Sequence, residues 1–138
     1  MTTEEKKGYL GYKESAKPTV TGYNHLAENY DDNKDWRALG AVGPIRDEGT
    51  ICQACWAFAV QSMLESAHFI KSGELAMFST QQLVDCDRGS LGCQGGGNES
   101  AIDYFKTAPI MLEKEYPYVA KDQMCQTNPA KSTGINVI

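Results

Sequence analysis

The chain has 138 residues, with 13 basic and 18 acidic side chains and a net charge of −5. That length suits one domain with a real core, and that charge gives no reason to expect nucleic acid or an anionic membrane surface as a partner. No apolar run approaches the ~18 residues of a transmembrane helix, and the opening M-T-T-E-E-K-K lacks the apolar core of a secretory signal, so neither is expected.

Residues 1–34 are polar, charged and rich in Gly and Tyr. From composition they read as a solvated N-terminal extension without fixed structure. Asp35 to Gly49 carries Gly40, Gly43, Pro44 and Gly49, which predicts an extended, turn-rich lead-in. A helix is expected from about Cys55 to Lys71. Its apolar positions Trp56, Ala59, Val60, Met63, Leu64, Ala67 and Ile70 recur at the 3.6-residue period, and Gly73 is placed to cap its end. Ser79–Thr80–Gln81–Gln82 has the capping-box pattern and predicts a second helix over 80–84. The glycine-rich run 87–97 reads as a loop. Asn98 is expected to cap a third helix over 99–106, with Ala101, Ile102 and Phe105 inward. Gly134 to Ile138 alternates like the start of a strand.

The chemistry concentrates at E-G-T-I-C-Q-A-C-W-A-F, Glu48 to Phe58. Cys55 falls in the first turn of the long helix, off the expected buried stripe. Unpaired N–H groups and the positive dipole end favour a thiolate at such a place. A C-x-x-C by itself could equally mean zinc or redox chemistry.

Five motifs in order carry a resemblance that goes further. They are D-W-R-A-L-G-A-V-G-P-I-R-D (35–47), C-Q-A-C-W (52–56), F-S-T-Q-Q-L-V-D-C (78–86), G-C-Q-G-G (92–96) and Y-P-Y (116–118). The chain from Asp35 onward resembles the papain/cathepsin family of cysteine peptidases. The resemblance implies an α+β fold by family. Within it, residues 35–138 would be the mainly helical left domain, with about three helices plus loops and short strand pieces, stapled by disulfides. G-Y-L-G-Y-K (8–13) is similar to the tail of a cathepsin prosegment, which in the family lies through the cleft. Residues 1–34 would then be a prosegment remnant.

The resemblance also implies site residues. Cys55 matches the nucleophile and Trp56 the residue beside it. Gln53 stands where the family has Gly, crowding the cleft rim. Gly95 and Gly96 match the glycines that pair with substrate backbone. Gly97 and Asn98 take positions that are usually apolar pocket walls, and Asn98–Glu99–Ser100 is also a glycosylation sequon. The implied disulfides are Cys52–Cys93 and Cys86–Cys125, leaving Cys55 free; composition alone leaves open five reduced thiols. Glu48 stands at the oxyanion-hole Gln position, with one extra residue before Cys52. A carboxylate has no donor, unless the insertion turns Glu48 out to solvent. No cofactor and no metal are implied.

A papain-like site also needs a His base and an Asn that orients it, roughly 130–150 residues after the Cys. Ile138 falls short of that distance. His68 lies ~20 Å further along the same helix and ~140° around it from Cys55, and His25 is in the N-terminal extension. The expectation is therefore a half-length relative of the cysteine peptidases, truncated before the right domain and incompetent alone, acting as a structural or interaction subunit. The alternative is an active thiol endopeptidase whose His and Asn come from a separate chain. A different protein is expected to cover the face of the missing domain. The family is lysosomal, vacuolar or secreted; the sequence does not choose.

Overall fold

The computed structural model describes residues 2–7, 11–13 and 33–135. Its helices are α1 (Thr3–Lys7), α2 (Cys55–Ser72), α3 (Thr80–Cys86) and α4 (Asn98–Thr107), with single 3-10 turns at Gly92–Gln94 and Pro129–Lys131. α2, about 27 Å long at ~1.5 Å per residue, is the axis against which α3 and α4 pack. It stops where expected: Gly73 takes a left-handed conformation (φ 81°), and its N–H donates to the Phe69 carbonyl.

One helix starts as expected, with half of its cap, and one does not. Ser79 does cap α3, its Oγ accepting from the Gln82 N–H at 3.0 Å. The reciprocal half of the box is missing, because the Gln82 side chain is committed elsewhere: it donates to the Tyr104 hydroxyl and the Pro109 carbonyl and accepts from the Met111 N–H. Asn98 does not cap α4. It is the first helical residue, and Gly97 is the cap, with no side-chain bond. Both helices also run one or two residues beyond their expected ends, as fraying boundaries do.

The core joins Trp56, Ala57 and Val60 of α2 to Phe78, Leu83, Val84, Ala101, Phe105 and Ile110. Each fully buried large side chain here contributes about 1.5–3 kcal/mol. The buried face of α2 is rotated from the expected stripe. Trp56 and Val60 are inside and Leu64 packs against the core, but Ala59, Met63, Ala67 and Ile70 are exposed, while Ala57, Gln61 and Glu65 are buried. The polar pair is inside because each finds a partner there, although Gln61 Oε1 is buried without one. Gln61 donates to the Ser79 carbonyl. Glu65 accepts from the Phe78 N–H at 2.8 Å and pairs with Arg46 at 3.0 Å. Periodicity counts a buried polar group that hydrogen-bonds inside the fold as an outward one.

Extended segments meet through isolated bridges. Phe78 pairs with Leu112 and Met111 with Ser132, both antiparallel. The bridge near the end thus forms at Ser132, ahead of the expected strand; residues 136–138 lie outside those described. Both expected disulfides are formed, Cys52–Cys93 and Cys86–Cys125, and Cys55 is free. The loops are held by buried polar staples. Gln81 donates to Asp85 and the Lys121 carbonyl and accepts from the Val119 N–H. Asp87 gathers the Gly89 N–H and the Ser90 and Ser100 hydroxyls.

Candidate active site

Cys55 is the first residue of α2 and is partly exposed. Its flanks are fixed from both sides. The Cys52–Cys93 bridge and the Gln53 N–H bond to the Cys93 carbonyl (3.0 Å) tie the turn before it to the glycine loop. Trp56 is buried behind it, donating from Nε1 to the Gly92 carbonyl at 3.3 Å. Asp122 closes this loop: its Oδ1 accepts the Cys93 N–H at 2.8 Å and sits where a side chain at Gly92 would have to go. The arrangement gives a thiol on a rigid helix end, reachable from one side.

Glu48 is not turned out to solvent. It is half-buried, and its Oε2 is fully buried without a hydrogen-bond partner. Burial raises its pKa above the ordinary 4.5; the backbone amides of Ala54 and Cys55 lower it, and the Asp47 charge adds to the rise. The extra residue before Cys52 is absorbed in the turn at 49–51, where Gly49 is left-handed (φ 78°) and donates to Asp47 Oδ1 at 2.8 Å. Tyr118 completes the setting: its hydroxyl donates to the Glu48 carbonyl at 2.9 Å. Burial first, then the Glu48 and Asp47 charges, push the Tyr118 phenol up to about 12. Sequence reasoning noted Y-P-Y as a motif and missed this role.

A second strand of the chain crosses the site. Tyr12 pairs with Gly96 in a parallel bridge, with Gly96 N–H to the Gly11 carbonyl at 2.8 Å and Lys13 N–H to the Gly96 carbonyl at 2.7 Å. Gly11 is buried against Gln53. Gly95 (φ 108°) makes the close approach to Gly11, and Gly96 lies flat on the Trp56 indole, with no room for a side chain. The backbone of Gly96 that is free in an open cleft is thus occupied by residues 11–13.

Beyond Gly96 lies a cavity of about 220 Å³ lined by Lys13, Ser90, Leu91, Gly97 and Ser100 among others. Asn98 does not line it; its buried Oδ1 has no partner. Of the two expected wall positions, Gly97 lines this cavity, together with Ser90, Leu91 and Ser100. His68 is far from Cys55 on α2, with its ring beside Ser72 Oγ (3.3 Å) and 5.9 Å from the Phe78 ring. His25 lies outside the described residues. Among the described residues there is no cluster of metal ligands and no helix long and apolar enough to cross a membrane.

A family model described as papain family cysteine protease matches residues 30–137. Among curated proteins, digestive cysteine proteinase 1 of Homarus americanus is 40% identical over 133 residues, 93% of this chain and 41% of that protein. Among solved structures, digestive procathepsin L2 proteinase from Tenebrio molitor larval midgut superposes with a TM-score of 0.83 at 32% identity, over 97% of this chain and 46% of that one. The proform of the ragweed pollen allergen Amb a 11 cysteine protease gives a TM-score of 0.71 at 40% identity, over 80% of this chain and 30% of that one. The chain spans less than half the length of these relatives.

Proposed function

This chain belongs to the papain family of cysteine proteases, and from that premise we propose that it supplies the nucleophile-bearing half of a thiol peptidase site, held shut by its own N-terminal segment. The observation that carries this reading is the placement of a free Cys55 at the start of α2, with Gly96, which lies against the adjacent Trp56, already paired through its backbone to residues 11–13. Cys55 is the nucleophile, and Gly96 is the edge that would pair with a peptide substrate. The segment 11–13, similar to a prosegment tail, takes that edge. The described residues offer no base within reach of Cys55, so the His and Asn of the site come from polypeptide outside them, in the same or another chain.

That polypeptide docks on the side of α2 turned away from the core. In support, Ala59, Met63 and Ile70 are exposed there, and Ala59 shares a surface hollow with Val42 and Ile45 of the lead-in. The second reading, a non-catalytic interaction subunit, is favoured by Glu48, whose ionised form repels both a thiolate and an oxyanion. Turnover assays separate the two. The isolated chain should not hydrolyse peptides. Protein that includes the His- and Asn-bearing half should do so, and Cys55→Ser should abolish it. Peptide hydrolysis unchanged by Cys55→Ser, or none in the completed protein at any pH, overturns the peptidase reading.

A further inference from the structure

A thiol site needs a hydrogen-bond donor where negative charge develops, and Glu48 stands at that place. Resting on the peptidase reading above, we propose that Glu48 is an acid-gated oxyanion residue: its neutral carboxyl donates an O–H to the oxygen developing beside the Cys55 amide, and its carboxylate form occupies that anion position and closes it.

The geometry carries this. The oxygen of a carbonyl attacked by Cys55 Sγ lies within reach of the amide of Cys55 itself, at the N-terminus of α2. The Glu48 carboxyl is already under the influence of that amide and of the Ala54 amide. The Ala54 N–H also donates to the Cys52 carbonyl at 2.9 Å, so it is shared between that carbonyl and the carboxylate. Glu48 Oε2 is left buried with no donor. A buried acceptor without a partner is costly as a carboxylate oxygen and useful as a protonated one, because protonation converts it into a donor. The backbone holds the group in place through the Tyr118 hydroxyl on the Glu48 carbonyl and the turn at Gly49.

The titratable groups that act on Glu48 or feel its charge are Asp47 in its own loop and the Tyr118 phenol, and the Cys55 backbone amide at the start of α2 donates to it. No cation among the described residues forms a salt bridge to it. The sum of burial and the Asp47 charge outweighs the two amides, so the acid form persists to a pH above that of an ordinary glutamate. A Gln in this place donates at any pH; Glu48 donates only on the acidic side.

Alkylation of Cys55, the free thiol, tests the charge directly. In either reaction Sγ attacks the CH₂ carbon, the C–S bond forms, the C–I bond breaks with its electron pair leaving on iodide, and the thiol proton goes to solvent. The ratio of rates for iodoacetate and iodoacetamide cancels the thiolate fraction and reports the local charge. In the 138-residue chain this ratio should rise at least about fivefold from pH 7.5 to pH 5, and it should stay flat in Glu48→Gln. A reversible peptide aldehyde tests the donor. Sγ adds to the carbonyl carbon, and the thiol proton ends on the oxygen. The wild-type chain should bind it about tenfold or more weakly than Glu48→Gln at pH 7.5 and within about threefold of it at pH 4.5, while Glu48→Ala binds weakly at both. An iodoacetate ratio that does not change with pH, or a wild-type to Glu48→Gln affinity ratio constant across pH, overturns the proposal. Neither readout needs turnover, so absent peptidase activity with both pH effects intact removes the peptidase reading alone.

Discussion

A β-carbon added to Gly11 would lie 2.7 Å from the Cβ of Gln53 and closer still to its carbonyl oxygen. The residue that crowds the cleft rim is thus matched by a glycine in the segment that crosses it. Because one of the clashing atoms is backbone, it cannot rotate away. Gly11→Val should displace residues 11–13 at a cost of about 1–3 kcal/mol. Hydrogen exchange reads this at the Lys13 and Gly96 amides, which bond across the bridge: both should be protected in the wild type and exchange freely in the variant. Unchanged protection would mean that the segment does not depend on that contact.

Glu65 is buried on α2 and accepts from the Phe78 amide while pairing with Arg46. Glu65→Ala leaves both donors without their acceptor and should cost about 3–5 kcal/mol. Glu65→Gln keeps an oxygen for Phe78 and should cost clearly less. Urea midpoints of the two variants give the comparison, and equal losses would show that the hydrogen bond to Phe78 contributes little.

The disulfide Cys86–Cys125 closes a loop with a sequence separation of 39. Replacing both cysteines by Ala should lower stability by about 2–4 kcal/mol. Cys55 labelling should change less than stability does, because the Cys52–Cys93 bridge still ties the turn before Cys55 to the glycine loop. A complete loss of labelling would show that the Cys93 loop depends on the second bridge, through the Cys93 N–H bond to Asp122.

Glu48 and Tyr118 give opposite ends of a pH profile. The Glu48 pKa is raised in the fold, so below 4.5 the carboxyl is neutral in both states and contributes nothing. As pH rises through the folded value, ionisation in place opposes folding. Glu48→Gln should therefore gain stability relative to wild type at pH 7 and none at pH 4, by thermal melts. At the alkaline end, unfolded tyrosines ionise near 10.0, whereas Tyr118 holds its proton to about 12. Tyr116, buried and bonded to Asp85, is raised too, as is Tyr104. Stability should fall as pH climbs from 10 through 12, and phenolate absorbance should show these three titrating late among the seven tyrosines. Uniform titration near 10 in the folded protein would contradict this.

Much of the fold was legible in the chain itself. The start of α2 at Cys55, its stop at Gly73 and the cap at Ser79 are local events, decided by residues within one turn of each other. The motif order implied the Cys52–Cys93 and Cys86–Cys125 pairs and the free Cys55, and the fold formed them. Tertiary structure alone decided which side of α2 faces inward. Gln61 and Glu65 are polar letters in a sequence but are neutralised by Ser79, Phe78 and Arg46, partners that only folding brings near. The setting of Glu48 was likewise beyond reach, because an inserted residue can turn a side chain either way. The outcome depended on Tyr118, seventy residues on, fastening its carbonyl and on the helix end that its carboxyl meets.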